Sequence, residues 1–595
     1  MAGRVSVHTG LLEMSLLSFP LKFVTLSVFA IALSFFFSWL GIRALPIGSI
    51  LFWMSVIFLV FNHIQSLKSH QKFSPKLLLG WGFFLLGLGI AANWMGGLWV
   101  APSNDDTLNH LAFLDAILKS QYSLLGKINR PGSNWFGLSP YHFYPSGAHA
   151  LMALFLWPFF QMKVSVATLY RTFLILTMAL WPAFLWWSSC KLFPEIKNKV
   201  RVFLLISVFT LPLFPIFALG EGGMSRIMGM VLIVPIWFEL LKSRERFWIG
   251  FLWSAIFFPV LLMIHPSLII LFLVGLIFSS RRMLAGTGIG LILGGLLFFG
   301  LLHTAPQDVF DPELLRKMTA DLPSGLEGWF QRLKGPFHYF FADSMGLGKF
   351  FSPKNYFIYV ALFLAFFGKL PRRILFFFFI PFGIAALALI PSPVAQLAGI
   401  PFYHSVKRIA EWIPILSFTL ACFAAQRLEV EYFFWKKHAR AIGVFCVVTS
   451  VLFLFVFLPK SKEMVVDFNR IFKSPLSAEV DRVKEITLQL SPEADVLIDD
   501  HEFDFLRFEL PQKVYTLRPE CQETGNISDY CVKRTNFAME TVLHPKSYAL
   551  TKEFWWLPSK LERADANGLI TKFSLKTIEI SKEVRLVRIH EAQAH

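Results

Sequence analysis

The chain has 595 residues, 55% of them hydrophobic, with 67 Phe, 18 Trp and a mean hydropathy of +0.57. No soluble protein of this length can hide that much apolar side chain, so the composition implies lipid as solvent. The formal net charge of +17 would suggest nucleic acid in a soluble chain, but Lys and Arg sit in short loops between apolar runs, with no basic stripe interleaved with exposed aromatics. That pattern is a membrane topology signal and argues against nucleic acid as a partner.

In chain order, the first apolar stretch, Phe19 to Leu40, has the length of a spanning helix, and no small-residue cleavage site follows it. Further runs fall near 47–63, 77–100, 168–190, 202–219, 227–241, 247–264, 267–279, 284–302, 355–368, 373–391, 411–426 and 441–458, giving about thirteen spans. The loops alternate in charge. One set holds Lys68/Lys72/Lys76, Lys191/Lys197/Lys199/Arg201, Lys242/Arg244/Arg246, Arg281/Arg282, Lys369/Arg372/Arg373 and Arg427/Lys436/Lys437/Arg440. It carries nineteen Lys or Arg against four acids, Glu195, Glu245, Glu429 and Glu431. These loops and the N-terminus are therefore expected in the cytoplasm. The alternation holds only if Gly147–Phe160, apolar but short, lies in or dips into the outer face of the bilayer.

The other face then receives 101–167, a turn at 220–226, His265-Pro266, loops at 303–354 and 392–410, and everything after about 459. The expected architecture is an all-α polytopic membrane domain, residues 1–458, followed by a small extracytoplasmic α/β or α+β domain, 459–595. In the latter, Asp495–Ile498, Lys513–Leu517, Ser547–Thr551, Lys576–Ile580 and Glu583–Ile589 read as strands, with helix near 477–490. Cys190, Cys422 and Cys446 lie in apolar runs and read as small hydrophobes. Cys521 and Cys531, ten residues apart in a domain expected to face an oxidising compartment, are expected to form a disulfide.

Polar residues gather on the outer face. The first large loop reads Ser103-Asn104-Asp105-Asp106-Thr107-Leu108-Asn109-His110 and enters a helical stretch to about Lys119; it ends Tyr141-His142-Phe143-Tyr144-Pro145-Ser146-Gly147-Ala148-His149. Adjacent carboxylates at a membrane surface can act as a general base and a substrate or metal ligand; the same residues before a helix are also ordinary N-caps. With a helix starting near Asp106, Asp106 and His110 share one face. Glu221-Gly222-Gly223-Met224-Ser225-Arg226 joins two helices, either as a hairpin with a snorkelling Arg or as a close ligand approach. His265-Pro266-Ser267 is a further turn. Phe402-Tyr403-His404-Ser405-Val406-Lys407-Arg408 enters a late helix, where a cationic pair opposes the helix dipole and suits an anion. Asp105 or Asp106, His110, Tyr144, His149, Arg226, His265, Tyr403, His404, Lys407 and Arg408 are thus expected to line one cavity at the outer membrane surface. Asp106 and His110 could hold a divalent cation such as Mg or Mn with His149, His265 or His404, but hard ions prefer oxygen ligands, so metal dependence is not the expectation.

An Asp-Asp followed by His in the first outer loop, a downstream Tyr-Pro-x-Gly-x-His, a His-Pro turn and a late Phe-Tyr…Arg helix entry together resemble the GT-C superfamily. Its members are multi-spanning glycosyltransferases that use polyprenyl-phosphate sugars, and the likeness covers roughly 80–430, nearest to a bacterial domain-of-unknown-function family of that clan. The resemblance implies transfer of a sugar from a polyprenyl-phosphate donor to a glycan or lipid acceptor outside the inner (plasma) membrane. Asp105 or Asp106 would be the base, and Arg226 with Lys407 and Arg408 would hold the lipid phosphate. Three spans precede the acidic loop here, whereas many clan members have one. Two other classes compete: a non-catalytic envelope scaffold, and a transporter of lipid-linked saccharide. Against the latter, the middles of the expected spans carry no ionisable groups and the chain has no pair of similar halves.

Overall fold

The computed structural model describes residues 19–40, 44–68, 75–95, 105–120, 147–208, 218–220, 223–242, 246–265, 268, 280–303, 364, 413–471, 485–490, 495–498, 513–516, 554–557, 575–579 and 585–589. Twelve helices, with shorter turns between them, order this part: α1 Phe19–Trp39, α2 Ala44–Lys68, α3 Pro75–Met95, α4 Asp105–Ser120, α5 Gly147–Gln161, α6 Val166–Leu192, α7 Asn198–Val208, α8 Met224–Lys242, α9 Phe247–Ile264, α10 Arg281–His303, α11 Ile413–Glu431 and α12 Ala439–Ile471. Among the described residues six helices are long and apolar enough to cross a membrane: α1, α3, α6, α8, α9 and the first twenty-five residues of α12. The protein is a helical, multi-pass membrane protein. The apolar run 373–391 and, apart from Leu364 and Leu268, the runs 355–368 and 267–279 lie outside the described residues, as does Ser547–Thr551.

Specific contacts set the direction of the helices. α3 and α6 run antiparallel, for the Trp186 indole donates to Lys76 O at 2.6 Å and Arg171 donates to Met95 O at 2.8 Å. Between these bonds Gly80 lies against the Trp187 ring and Gly87 against Ala179 and Pro182, so the glycines let the backbones meet where any Cβ would collide. α6 and α8 run parallel, joined at their C-terminal ends by Lys191–Glu239 at 2.5 Å. α9 and α10 are likewise parallel, with Gly286, Gly290 and Gly294 stepping along Phe247, Phe251 and Ser254. A π-helical turn, Trp253–Phe257, interrupts α9 just before Pro259, which has no N–H to continue the ladder.

These pairings collect Lys76, Lys191, Lys242 and Arg281 at one end of the bundle, hereafter the basic end. α7 and α11 meet there, where the Glu429 carboxylate accepts from Lys197 N at 3.1 Å through either oxygen. Arg201 is also there and is wholly buried; its guanidinium donates to Phe193 O at 2.6 Å and Ile196 O at 2.8 Å, just past the C-terminus of α6. At the far end the Trp94 indole donates to Ser461 Oγ at 2.8 Å, fastening α12 to the top of α3.

Position in the bundle follows burial. In α8 94% of the spanning window is covered, so this helix, apolar all round, is the central post. In α12 only 22% is covered, and Phe455, Val456 and Phe445 face outward, as lipid requires. Five short strands lie beyond α12, β1 Asp495–Ile498, β2 Lys513–Thr516, β3 Phe554–Leu557, β4 Leu575–Glu579 and β5 Arg585–Ile589, in one mixed sheet of order β2-β1-β3-β5-β4. β1 is parallel to β2 and β3, while β5 is antiparallel to β3 and β4. Cys521 and Cys531 lie outside the described residues.

Candidate functional site

α4 is amphipathic for a simple reason: Thr107, His110, Leu111, Leu114 and Leu118 recur at helical spacing and are all buried, whereas Lys119 is exposed and pairs with Asp115 at 2.8 Å. The buried stripe lies on α5 and delivers His110 to His149. Their rings are hydrogen-bonded, His110 Nδ1 to His149 Nε2 at 2.9 Å, with centroids 5.0 Å apart. α5 is helical over Gly147–Gln161, about 22 Å and too short to cross. Tight turning through Lys163, whose φ is 62°, and capping of α6 by the Ser165 hydroxyl, which accepts from Thr168 N, make α5 lead straight into α6.

Two glycines bring the remaining pieces close. A Cβ on Gly147 would stand 2.7 Å from Met263 O, so the first residue of α5 abuts the end of α9, two residues before His265. His265 ends α9 with extended backbone, its N–H donating to Leu261 O at 2.9 Å. A Cβ on Gly223 would overlap the Arg226 guanidinium, which folds back over the start of α8. Arg226 is in turn near enough to His110 for its charge to act on that ring. Four expected site residues, His110, His149, Arg226 and His265, therefore come from four helices to one region. The sequence flagged them singly; it did not indicate the His–His bond, nor that Gly147 and Gly223 are required for close approach.

Electrostatics in this region are set by burial. The His110 pKa is lowered to about 3, first by burial and then by the Arg226 charge. That of His149 is also held well below the usual histidine range, by burial and then by His110. Burial keeps the His110 and His149 rings neutral near neutral pH, beside the Arg226 guanidinium.

From the Lys191–Glu239 ion pair, about 38 Å of α6 leads to Val166, but only about 22 Å of α8 leads to Met224. α8 is the shorter post, and Arg226 lies about 20 Å from the ion pair, a distance smaller than the roughly 30 Å hydrocarbon thickness of a bilayer. Along the bundle Arg226 therefore lies about 18 Å short of Val166, at the end of the bundle away from the basic residues. A cleft lined by Pro20, Leu21, Ser188, Lys191, Pro235 and Glu239 lies at the basic end and shares no residue with the cluster.

Asp105 and Asp106 begin α4, but their side chains lie outside the described residues, as do Tyr144, Tyr403, His404, Lys407 and Arg408 altogether. Among the described residues no three His, Cys, Asp or Glu side chains are grouped as a metal set. The described chemistry is thus a buried, donor-rich cluster of a guanidinium, neutral imidazoles and a helix N-terminus, suited to an oxyanion. No protein-family model matches the chain, and no characterised protein matches it in sequence.

Proposed function

We propose that the protein is a membrane glycosyltransferase of GT-C type, moving a sugar from a polyprenyl-phosphate donor to an extracytoplasmic cell-envelope acceptor. The observation that carries this reading is the convergence of His110, His149, Arg226 and His265 at the end of the bundle opposite its basic loops. With the Lys191–Glu239 pair at one boundary, a bilayer of about 30 Å would enclose this cationic, donor-rich cluster, which suits a ligand whose charge is attached to a lipid. A soluble anion would have to shed its hydration to reach it, whereas a lipid phosphate arrives along the bilayer.

In this reading Asp105 or Asp106, at the first turn of α4, takes the proton from the acceptor hydroxyl, the hydroxyl oxygen bonds to the anomeric carbon, and the lipid phosphate leaves with the electron pair. Arg226, with Lys407 and Arg408, stabilises the charge that develops on that phosphate. Direct displacement inverts the anomeric centre. The N-terminus is cytoplasmic, about thirteen spans cross the inner membrane, and the segment after about residue 459 forms an extracytoplasmic domain. A divalent cation at Asp106 and His110 is not required by this chemistry.

Transfer from a polyprenyl-phosphate sugar in membrane vesicles tests the assignment. Asp105→Asn and Asp106→Asn, made separately and together, should abolish product at unchanged protein level, while Arg226→Ala should raise the donor concentration needed for half-maximal rate. Full activity in the double Asn variant would remove the base from the mechanism. The depth of Arg226 also favours a second reading, a transporter of lipid-linked saccharide, since ionisable groups within the membrane mark translocation paths. Movement of labelled lipid-linked sugar across vesicles without sugar transfer would select it.

A further inference from the structure

His110 and His149 share one hydrogen bond at 2.9 Å, so one ring nitrogen carries a proton and the facing one a lone pair. Two arrangements satisfy this. If His110 Nδ1 donates, both rings are Nδ1–H tautomers and His110 shows a bare Nε2. If His149 Nε2 donates, both rings are Nε2–H tautomers, the intrinsically preferred form of a neutral imidazole side chain. His110 then turns an N–H outward from the edge opposite His149. Arg226 beside it has only donors to offer.

We propose that His149 is a positioning residue, which by donating Nε2–H to His110 Nδ1 holds His110 as a neutral Nε2–H donor for an oxyanion bound at Arg226. The inference rests on the lipid-phosphate reading and goes further, assigning a tautomer and giving the second histidine a role that needs no contact with ligand. A fixed neutral donor in a dry site needs no proton uptake and no reorientation when charge arrives. His110 itself should therefore add no pH dependence to binding between about pH 5 and 8, where an ordinary histidine would switch, beyond that of the second ionisation of the phosphate probe. The acidic, basic and histidine side chains on the packed elements are Asp105, Asp106, Asp115 and Lys119 on α4, Arg171 and Lys191 on α6, Arg226, Glu239 and Lys242 on α8, and His265 at the end of α9; Lys191, Glu239 and Lys242 stand at the basic end.

The test uses the full chain in lipid nanodiscs, labelled with nitrogen-15 histidine, with the His110 signals assigned by loss in His110→Gln. In the unsubstituted protein His110 should be protonated at Nε2 and bare at Nδ1, and farnesyl phosphate should move the Nε2 signal. His149→Gln keeps an amide N–H to donate and should bind farnesyl phosphate within about threefold of normal; His149→Leu should bind about tenfold more weakly. A proton found on His110 Nδ1, or equal affinities of the Gln and Leu variants, overturns the proposal. Inorganic phosphate is the companion probe. A response to farnesyl phosphate alone ties the donor set to a lipid, and a response to both supports the donor set for the phosphate group itself. If neither moves the signal, the oxyanion role falls together with the lipid-phosphate reading. A failed sugar-transfer assay with the spectral response intact counts against glycosyl transfer alone.

Discussion

His110 takes no proton in the folded protein until about pH 3, whereas in an unfolded chain it titrates near 6.5; the His149 pKa is shifted in the same direction. Below pH 6.5 the unfolded state binds more protons, so stability is full above that pH and is lost as pH falls toward 3. The slope is about 1.4 kcal/mol per pH unit for each such histidine. The thermal midpoint of the detergent-purified protein should therefore drop between pH 7.5 and 5, and His110→Gln with His149→Gln should flatten that slope. An equally steep slope in the double variant would place the acid lability elsewhere. Gly147 offers a second residue-scale test. Gly147→Ala pushes a methyl group to 2.7 Å from the Met263 carbonyl, and the backbone there cannot yield as a flexible side chain could. It should cost about 1–3 kcal/mol and reduce activity more than a surface Gly82→Ala change, where the added methyl meets open space. Equal stability and activity for both would show that the α5–α9 approach is not required. The sequence marked His110, His149, Arg226 and His265 because His and Arg stand out against an apolar background. It was silent on Gly147 because close packing depends on a partner more than one hundred residues away.

Helices were legible wherever apolar length alone decides, as in α1, α3, α6, α8 and α9. The reading of α5 as a non-crossing segment came from loop charge, and its position beside α2 explains it: the Ser49 hydroxyl and the Trp53 indole donate to Leu154 O and Phe155 O. Arg201 shows where a charge rule misreads a residue. In sequence it is one more loop cation, yet it is 0% exposed, stacked 5.6 Å from the Trp186 ring and bonded to carbonyls beyond the end of α6. Those carbonyls have left the helical ladder, and a cation there also complements the helix dipole. Arg201→Met should therefore destabilise the protein by about 2–4 kcal/mol and lower its yield in membranes, whereas Arg427→Met, on the exposed side of α11, should change stability by under about 1 kcal/mol. Comparable midpoints for the two variants would refute the capping role. Hydropathy cannot separate the two arginines, because it sees composition and not the surroundings that folding creates.

At the scale of the whole molecule, the cluster of Lys76, Lys191, Lys242 and Arg281 and the candidate site lie at opposite ends of one bundle, an arrangement read from specific contacts and not from a count of loop charge. Lys76 stands beside Trp186, Lys191 beside Glu239 and Lys197 beside Glu429, while Trp94 meets Ser461 and His110 meets His149 away from them. If the basic end faces the cytoplasm, α12 carries the chain outward, and the sheet of β1 to β5 follows on the other side. Alkaline phosphatase, which folds only where disulfides form, should then be active when fused after residue 470 or within 121–146 and inactive after residue 243. Green fluorescent protein should give the converse. In the oxidising compartment Cys521 and Cys531 should resist alkylation until a reductant is added, whereas the buried Cys190, Cys422 and Cys446 should resist until the protein is unfolded. Phosphatase activity after residue 243 together with none after 470 would invert the molecule and put the candidate site in the cytoplasmic leaflet. A lipid-linked donor used outside the membrane could not then reach Arg226, so this fusion series decides whether the proposed chemistry has access to its substrate.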